Sequence, residues 1–199
     1  MYSIKLSCEA FNDLASAAHF ASSDMKRPPI LTAVSFNLVG DTMTATASDS
    51  FKMVSIKRDI EELDGDYANM EEILVPAKTL TDYSKFIKKT KGSVTIKVNG
   101  EHLLFTSEAG VIGGEVIEGT YPKFDTIVPN ATGIKATEKM VFNPHILAGF
   151  SKVAPFNSKN NDINALIITT INDNTRPMRV EDISGRTVGV IMPVRINGH

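Results

Sequence analysis

The residues that could carry chemistry in this chain are not spaced as a catalytic or metal-binding set. The four histidines are His19, His102, His145 and His199. None of them stands at metal-ligand spacing from Cys8 or from a carboxylate pair. Asp49 lies between two serines, but no base is spaced to activate a hydroxyl, so the triplet predicts a turn. The glycine pair within residues 111–114 lacks the Lys-Ser/Thr that completes a phosphate-binding loop. The sequence therefore predicts a protein that is not an enzyme and holds no metal or cofactor.

Lysine dominates one side of the second predicted helix, residues 77–89, which begins after Pro76, where a missing N–H costs little. At 100° per residue, one face carries Leu80, Tyr83 and Ile87. The opposite face carries Lys78, Lys85 and Lys89, with Lys88 on its flank and Lys91 just beyond. Two interpretations follow. A lysine-rich helix standing alone is usually a solvated surface, whereas lysines held beside a duplex would contact phosphates.

An apolar run near the C-terminus, residues 188–196, contains Met192, Pro193 and Arg195. Because proline removes a donor from the sheet ladder, we expect this strand at the edge of a sheet, with neighbouring residues available for another task. Exposed methionine and proline beside an arginine suit an adaptable groove for a peptide. The run is therefore a candidate wall of a peptide-binding cleft.

Composition limits what the chain can be. Its 199 residues are 42% hydrophobic, enough to bury one good core without disulfides or metals. The single cysteine, Cys8, has no partner within the chain and predicts only a small residue near a helix start. The net charge of -2 is too mild for a broadly basic nucleic-acid binder, so any basic surface has to be local. The first residues are too short and polar a run for a signal peptide, and no apolar run approaches the ~20 residues that cross a bilayer, so we expect a cytoplasmic protein with no membrane partner.

A strand, an amphipathic helix and two or three further strands recur three times along the chain, which indicates an internal repeat. The first unit is predicted to have strands at residues 2–6, 30–39, 43–47 and 51–57, with Phe11, Leu14, Ala15 and Ala18 on one stripe of its helix. The second has strands at 73–75, 94–98 and 103–107, the last two joined by a hairpin turn at Asn99-Gly100. The third has strands at 139–142, 165–171, 178–181 and 188–195, and a helix from Asn143 to about residue 154. The acidic residues 59–66 predict a solvated linker.

Six short stretches occur together in one order and spacing, at residues 27–31, 45–53, 74–78, 118–129, 141–144 and 188–196. With them the chain resembles the bacterial DNA polymerase sliding clamp, the beta subunit of DNA polymerase III. The resemblance implies an α+β DNA-clamp fold, in which βαβββ half-domain units pair around a local dyad, with antiparallel sheets outside and helices lining the inner face. Residues 1–129 resemble one complete clamp domain, the middle one, and residues 130–199 resemble the second half of the last domain. The family's first domain and half of its last would then be absent, and the reduced size suggests a phage or other mobile element as the source.

The resemblance also implies two sets of site residues. The cleft for a short peptide of partner proteins would comprise Leu31, Ser48, Phe51, Lys52, Met53, Pro122, Ile127, Val190, Met192, Pro193, Val194 and Arg195. The DNA-facing residues would be Lys26, Arg27, Lys78, Lys85, Lys88, Lys89, Lys91 and Lys152. Leu31 and Ile127, taken singly, fit a core position equally well. The chain departs from the family at Phe51 and Lys52, where histidine and arginine are commoner, and at Thr126, where a basic residue is usual.

The first and third predicted helices fit a DNA-facing role less well than the second. The first points Glu9 and Asp13 outward, which suits a helix N-terminus but not phosphate, so only Lys26 and Arg27 after it are assigned to DNA. The third turns Ile146, Phe150 and Val153 inward and His145 and Lys152 outward.

The function implied by the resemblance is that of a processivity factor, which encircles duplex DNA and tethers a polymerase through the cleft. The expected partners are duplex DNA bound without sequence preference, a DNA polymerase and a clamp loader. Family rings use about twelve half-domain units, so a chain of three would close a ring as a homotetramer. One alternative is a clamp mimic that binds or sequesters replisome partners without encircling DNA. Another, a small DNA-binding regulator using the second helix alone, lacks the Arg and Asn mixture that base readout favours.

Overall fold

The computed structural model describes residues 2–24, 26–65, 72–128, 142–153, 166–169, 176–183 and 185–194. The first repeat consists of β1 (Tyr2–Ser7), α1 (Cys8–Ala15), the 3-10 turns Ser16–Phe20 and Pro29–Thr32, β2 (Ala33–Val39), β3 (Thr42–Ser48) and β4 (Lys52–Asp59). The Ser7 hydroxyl accepts a hydrogen bond from the Ala10 N–H at 3.0 Å and so caps the start of α1. The predicted strand at residues 30–39 is wrong over its first three residues. The prolines before them start a helical turn and donate nothing to a ladder.

The second and third repeats follow the same order. After the first repeat, β5 (Glu62–Gly65) leads to the second, which consists of β6 (Ile73–Pro76), α2 (Ala77–Ile87), β7 (Ser93–Asn99), β8 (His102–Ser107), β9 (Gly110–Glu115) and the short α3 (Phe124–Ile127). The third consists of α4 (Pro144–Ala148), the 3-10 turn Gly149–Lys152, β10 (Leu166–Thr169), β11 (Met178–Asp182) and β12 (Thr187–Ile191). The predicted β7–β8 hairpin is confirmed, and Gly100, with φ of 61°, takes the first of its two turn positions.

Two antiparallel sheets contain these strands, and the first two repeats exchange their opening strands. One sheet has the order β5-β1-β7-β8-β9 and the other has the order β10-β11-β12-β4-β3-β2-β6. Strand β1 of the first repeat thus pairs with β7 of the second, while β6 of the second pairs with β2 of the first. This reciprocal exchange relates the two repeats by a local dyad, as expected for a clamp domain.

The helices cover one face of both sheets and bury a common core. The predicted inward stripe of α2, Leu80, Tyr83 and Ile87, is fully buried. At its centre the Phe11 ring lies 5.4 Å from the ring of Tyr83 and 5.2 Å from that of Phe105, edge to face with both. Strand residues alternate between this core and the outer face, so each sheet keeps one face for helices and one for other contacts.

The third repeat adds three strands to the second sheet, next to β4 of the first repeat. Strand β12 pairs with β4 and places Val190 opposite Met53. On the helical side the Phe150 ring packs against Phe20 at 4.7 Å. Gly189 makes this packing possible, because a Cβ there would lie 2.3 Å from the Phe150 ring and 2.7 Å from the Met53 carbonyl oxygen. The predicted boundary between residues 129 and 130 lies outside the described residues.

Two predicted features are wrong, and one strand is missed. Strand β12 is not an edge strand, because it pairs with β11 on one side and with β4 on the other. It ends at Ile191, so Pro193 lies beyond it and removes no ladder donor. Part of the predicted acidic linker is β5, which tolerates charged side chains because it borders the first sheet and pairs only with β1. Strand β9 is missed by the sequence analysis, because its three glycines hide the alternating pattern.

The helix predicted from residue 143 to about 154 ends at Lys152, and its last turn is 3-10. Residues 139–141 of a further predicted strand lie outside the described residues, and Phe142 is not in a strand. Asp13 does not point into solvent as expected, because it is partly buried in a 2.7 Å ion pair with Arg58 of β4.

Candidate functional site

The floor of the predicted cleft lies on the outer face of the second sheet. Met53 of β4 and Val190 of β12 form a small buried cluster with Ala33, Leu74 and Tyr121. Residues 117–128, called the strap here, cross this face, and their Ile117, Phe124 and Val128 pack against the cluster. The cluster is separate from the core beneath the helices, so the apolar outer surface at this point has a packing role of its own.

The strap is tied to the sheet by hydrogen bonds at two points. The Ile117 N–H donates to the Leu74 carbonyl at 2.7 Å. The Tyr121 hydroxyl accepts from the Ser48 N–H at 2.7 Å. Burial raises the pKa of Tyr121 far above its ordinary value, so this phenol stays neutral at physiological pH. The strap is therefore a fixed wall.

Four large apolar side chains of the predicted set are exposed around this floor: Phe51 (52%), Val194 (43%), Met192 (38%) and Ile127 (37%). Phe51 follows a tight turn in which Ser50 adopts a left-handed φ of 78°. The Asp49 carboxylate accepts hydrogen bonds from the backbone N–H groups of Phe51 and Lys52 at 3.0 Å each. The Met192 N–H donates to the Phe51 carbonyl at 3.3 Å. These bonds hold the turn and the end of β12 side by side, with Phe51 facing outward. We call this floor and rim the apolar cleft.

The remaining predicted cleft residues are distributed unevenly. Leu31 and Ser48 are buried, and Pro122 and Pro193 are half-buried. Lys52 lies apart on the helical side, because its ammonium pairs with Asp49 at 2.9 Å and sits 5.1 Å from the centre of the Phe20 ring. Arg195 lies outside the described residues. Of the two residues with open alternatives, Leu31 takes a largely buried position and Ile127 an exposed one.

The predicted DNA-facing lysines of α2 are exposed as expected. The helix ends at Ile87, two residues before the predicted end, so Lys85 lies on α2 and Lys88, Lys89 and Lys91 lie in the segment that follows it. All four are exposed. Lys78 is also exposed, but its ammonium is bonded to the carboxylate of Asp82 one turn later. That hydrogen bond lowers the pKa of Asp82, which keeps the pair ionised. Sequence reasoning missed Asp82, although its position four residues after Lys78 places it on the lysine side of the helix.

Lys152 of the third repeat and Lys85 lie on the same side of the molecule, with His19 near both. Burial, then the positive charges of Lys152, Lys52 and Lys85, lower the pKa of His19. The three helical segments thus share one positively charged surface, called here the cationic face: the exposed lysines of α2 and of the segment up to residue 91, Lys152 and His19. His19 was not predicted as part of it. The signal was its position at the end of the first helix, immediately before the buried Phe20.

The two residues assigned to DNA after the first helix are placed differently. The Arg27 guanidinium lies 5.2 Å from the centre of the Phe51 ring, which associates Arg27 with the apolar cleft rather than with the lysines of α2. Lys26 is exposed, and its N–H donates to the Asp24 carboxylate at 2.9 Å within the loop.

Within the described ranges, no group of three or more His, Cys, Asp or Glu side chains is arranged to hold a metal ion. No helix in that part of the chain is both long and apolar enough to span a bilayer.

Paired repeats with exchanged strands, outer antiparallel sheets and helices on one face define the class of DNA-clamp proteins. The fold matches that of a DnaN sliding clamp from Bartonella birtlesii, solved bound to griselimycin, with a TM-score of 0.78 at 16% identity. It also matches the DNA polymerase III beta subunit of Thermotoga maritima, with a TM-score of 0.77 at 14% identity. Each match covers 98% of this chain and 66% of the other.

The sequence model of the DNA polymerase III beta subunit central domain matches residues 5–123, more than half of the chain. The chain belongs to the DNA polymerase III beta subunit family, as the resemblance predicted. The beta sliding clamp of Halalkalibacterium halodurans is 26% identical over 125 residues, covering 63% of this chain and 33% of that protein. The beta sliding clamp of Bacillus subtilis is 26% identical over 130 residues, covering 64% and 33%. The matched part of the chain thus corresponds to about a third of the length of these relatives.

Proposed function

We propose that this chain is a subunit of a sliding clamp, a non-enzymatic processivity factor that encircles duplex DNA and tethers a DNA polymerase. The observation that carries the proposal is the apolar cleft, in which exposed side chains from all three repeats surround a preformed floor. A monomeric surface rarely exposes such a cluster without a partner. The family of the chain supports the choice of partner.

The chemistry of the apolar cleft suits a short hydrophobic peptide. Each buried apolar anchor contributes about 2 kcal/mol. A peptide with three or four anchors then reaches micromolar affinity after the costs of ordering and association. Binding of that strength allows a polymerase and a clamp loader to exchange at one site.

The cationic face suits duplex DNA bound without sequence preference. Lysines on long solvated stems contact phosphates and leave the base edges unread. Because the net charge of the chain is -2, positive potential has to be local, and the exposed lysines place it on this face. The duplex would pass along the helices, while the polymerase would dock on the outer sheets.

Sheet edges support assembly into a ring. By the local dyad, β9 is the counterpart of β4, whose outer edge is covered by β12. Among the described residues no strand covers the outer edge of β9, and Val111 on it is 59% exposed. The outer edge of β10 is likewise uncovered in the described part, and Leu166, Ile167 and Ile168 are exposed. Uncovered apolar edges pair readily with other chains.

The unit count favours a homotetramer, since four chains of three units supply the about twelve units of a family ring. Light scattering over a range of concentrations tests this. A species four times the 21.6 kDa of one chain supports the self-closing ring. A strict monomer at every concentration overturns it and favours a mimic that sequesters replisome partners through the same cleft.

A further inference from the structure

The 3-10 turn Ser16–Phe20 is the point at which three helical segments meet. It contacts both α2 and the 3-10 turn Gly149–Lys152. Its last residue, Phe20, is fully buried against Phe150 of the turn Gly149–Lys152. His19 directly precedes this anchor and is exposed. The packing of Phe20 therefore holds the imidazole of His19 at the junction of the three repeats, on the cationic face.

The charged groups that act on His19 are three lysines from three different elements. Lys85 comes from α2, Lys152 from the turn Gly149–Lys152 and Lys52 from β4. The charge of Lys52 is balanced by Asp49 at 2.9 Å. The nearest acid on α2, Asp82, is bonded to Lys78. In the described part of the chain, no carboxylate lies within ion-pair distance of Lys85 or Lys152. The junction thus holds one titratable imidazole and two ammonium groups that form no ion pair with the described carboxylates, although the charge of Lys85 also acts on Asp82.

This arrangement disfavours the charged form of the imidazole in the absence of a bound anion. Although the side chain is exposed, partial burial of the ring and then the neighbouring ammonium groups lower the pKa of His19, so the imidazole is mostly neutral near pH 7 in the free protein. An anion beside the ring would offset both the lost hydration and the repulsion from the lysines. It would therefore favour the imidazolium.

We propose that His19, Lys85 and Lys152 form a proton-linked site for a phosphodiester group of duplex DNA, which tightens the hold on DNA as the pH falls. The proposal rests on the proposed function, in which the cationic face is the DNA-facing surface. It adds a third ligand that the lysine pattern does not contain and makes the affinity for DNA depend on pH.

The sign of the effect follows from linkage. A bound phosphate raises the pKa of His19 from its lowered value, so binding takes up to one proton at pH values between the free and bound pKa. Affinity therefore rises as the pH falls through this window, by at most tenfold per pH unit, and levels off below it.

Sulfate tests the anion site without DNA. The pKa of each imidazole is measured by NMR titration in sodium sulfate and in sodium chloride at equal ionic strength. His102, exposed on β8 and outside the helical segments, is the internal control. Sulfate is expected to raise the pKa of His19 relative to that of His102. Equal behaviour of the two imidazoles overturns the proposal, whatever the protein does with DNA.

A short duplex tests the physiological ligand. Its affinity is measured at pH 7.5 and pH 5.5 for the full chain, for His19→Gln and for the matched control His102→Gln, after circular dichroism has shown that each is folded. We expect the affinity of the unaltered chain to rise about three- to tenfold at the lower pH, and its salt slope to steepen by up to about 0.9 as one more phosphate is neutralised. His19→Gln should abolish both changes and His102→Gln should retain them.

Two other results are decisive. If His19→Gln keeps the full pH dependence, the site is overturned while the proposed DNA-facing surface stands. If sulfate shifts His19 but no variant binds duplex at either pH, the proposed DNA function is overturned, and with it DNA as the ligand of this site.

Discussion

The apolar cleft and the cationic face differ in how firmly the fold holds their side chains. In the apolar cleft, Phe51 is presented by a turn with a left-handed residue and two carboxylate hydrogen bonds, and the strap is anchored by the buried Tyr121. On the cationic face the lysines of α2 extend from an ordinary helix into solvent, and one of them is bonded to Asp82. The apolar cleft therefore has a fixed shape, whereas the cationic face presents positive charge on side chains that the fold does not hold in place.

The difference matches two kinds of recognition. A fixed apolar shape selects a particular peptide, because each anchor must fill its own position. A set of mobile charges accepts any phosphate backbone and lets it slide, because no single geometry is required. If the two surfaces are independent in this way, a change in one should leave the binding partner of the other unaffected.

Removing two rim side chains of the apolar cleft should have the largest effect. Met192→Ala with Val194→Ala removes two anchors worth about 2 kcal/mol each, so the affinity for a docking peptide of the cognate polymerase should fall about a hundredfold or more. Calorimetry measures it. Val39→Ala with Ile183→Ala, two exposed apolar residues outside the predicted cleft set, should leave affinity unchanged. A folded cleft variant that binds normally would remove these residues from the site.

Reversing charge on the cationic face should weaken duplex binding by about tenfold to a hundredfold at low salt. Lys85, Lys88 and Lys89 are each changed to Glu, and the salt slope should fall by about 0.9 for each phosphate that is no longer neutralised. The stability should change little, because the three side chains are exposed. The matched control carries the same three charge changes at exposed residues of the sheets and the strap, Lys57 of β4, Lys97 of β7 and Lys123. Equal weakening in both variants would show that only net charge matters.

Changing Gly189 to Ala should lower the free energy of unfolding by about 1–3 kcal/mol, because its Cβ would collide with the Phe150 ring and the Met53 carbonyl. Chemical denaturation measures the decrease. Gly114→Ala on β9 is the control, since its Cβ would meet only the Thr79 side chain at 3.4 Å. Peptide binding should weaken in the Gly189 variant, because β12 carries one wall of the apolar cleft. Full stability would mean that the third repeat does not dock as described.

Freeing Lys78 should have the smallest effect. Asp82→Asn removes the bonded carboxylate and should raise duplex affinity by about two- to threefold, with a slightly steeper salt slope. Peptide binding should not change. An unaltered slope would place Lys78 out of reach of phosphate.

Local patterns predict much of the fold. The period of 3.6 residues locates the buried stripe of α2, and the alternating period of 2 locates β1, β3, β4, β7 and β8. Strand β9 is not predicted because it is rich in glycine, and β5 is not predicted because it is acidic. Both are edge strands of the first sheet, where such residues are tolerated. The interior position of β12 is not predicted, because the apolar run continues past the end of the strand and includes Pro193.

The candidate site is predicted less completely. The family resemblance predicts four of its residues, Met53, Val190, Met192 and Val194. In the structure Met53 and Val190 lie in one buried cluster, and Met192 and Val194 are exposed just after β12. Local pattern cannot show that Lys52 turns to Phe20 or that Arg27 lies over Phe51. These placements depend on contacts between segments distant in sequence.

The sequence by itself determined the repeat of strand and helix, the family, and the lysine side of α2, because each depends on residue types at short spacing. Only the tertiary structure decided the exchange of β1 and β6, the pairing of β12 with β4, and the meeting of His19, Lys85 and Lys152. The physical reason is that a strand presents the same backbone donors and acceptors whatever its sequence, so its partner is selected by the shape and burial of the assembled core. Gly189 illustrates this, since its lack of a side chain has meaning only once Phe150 lies against it.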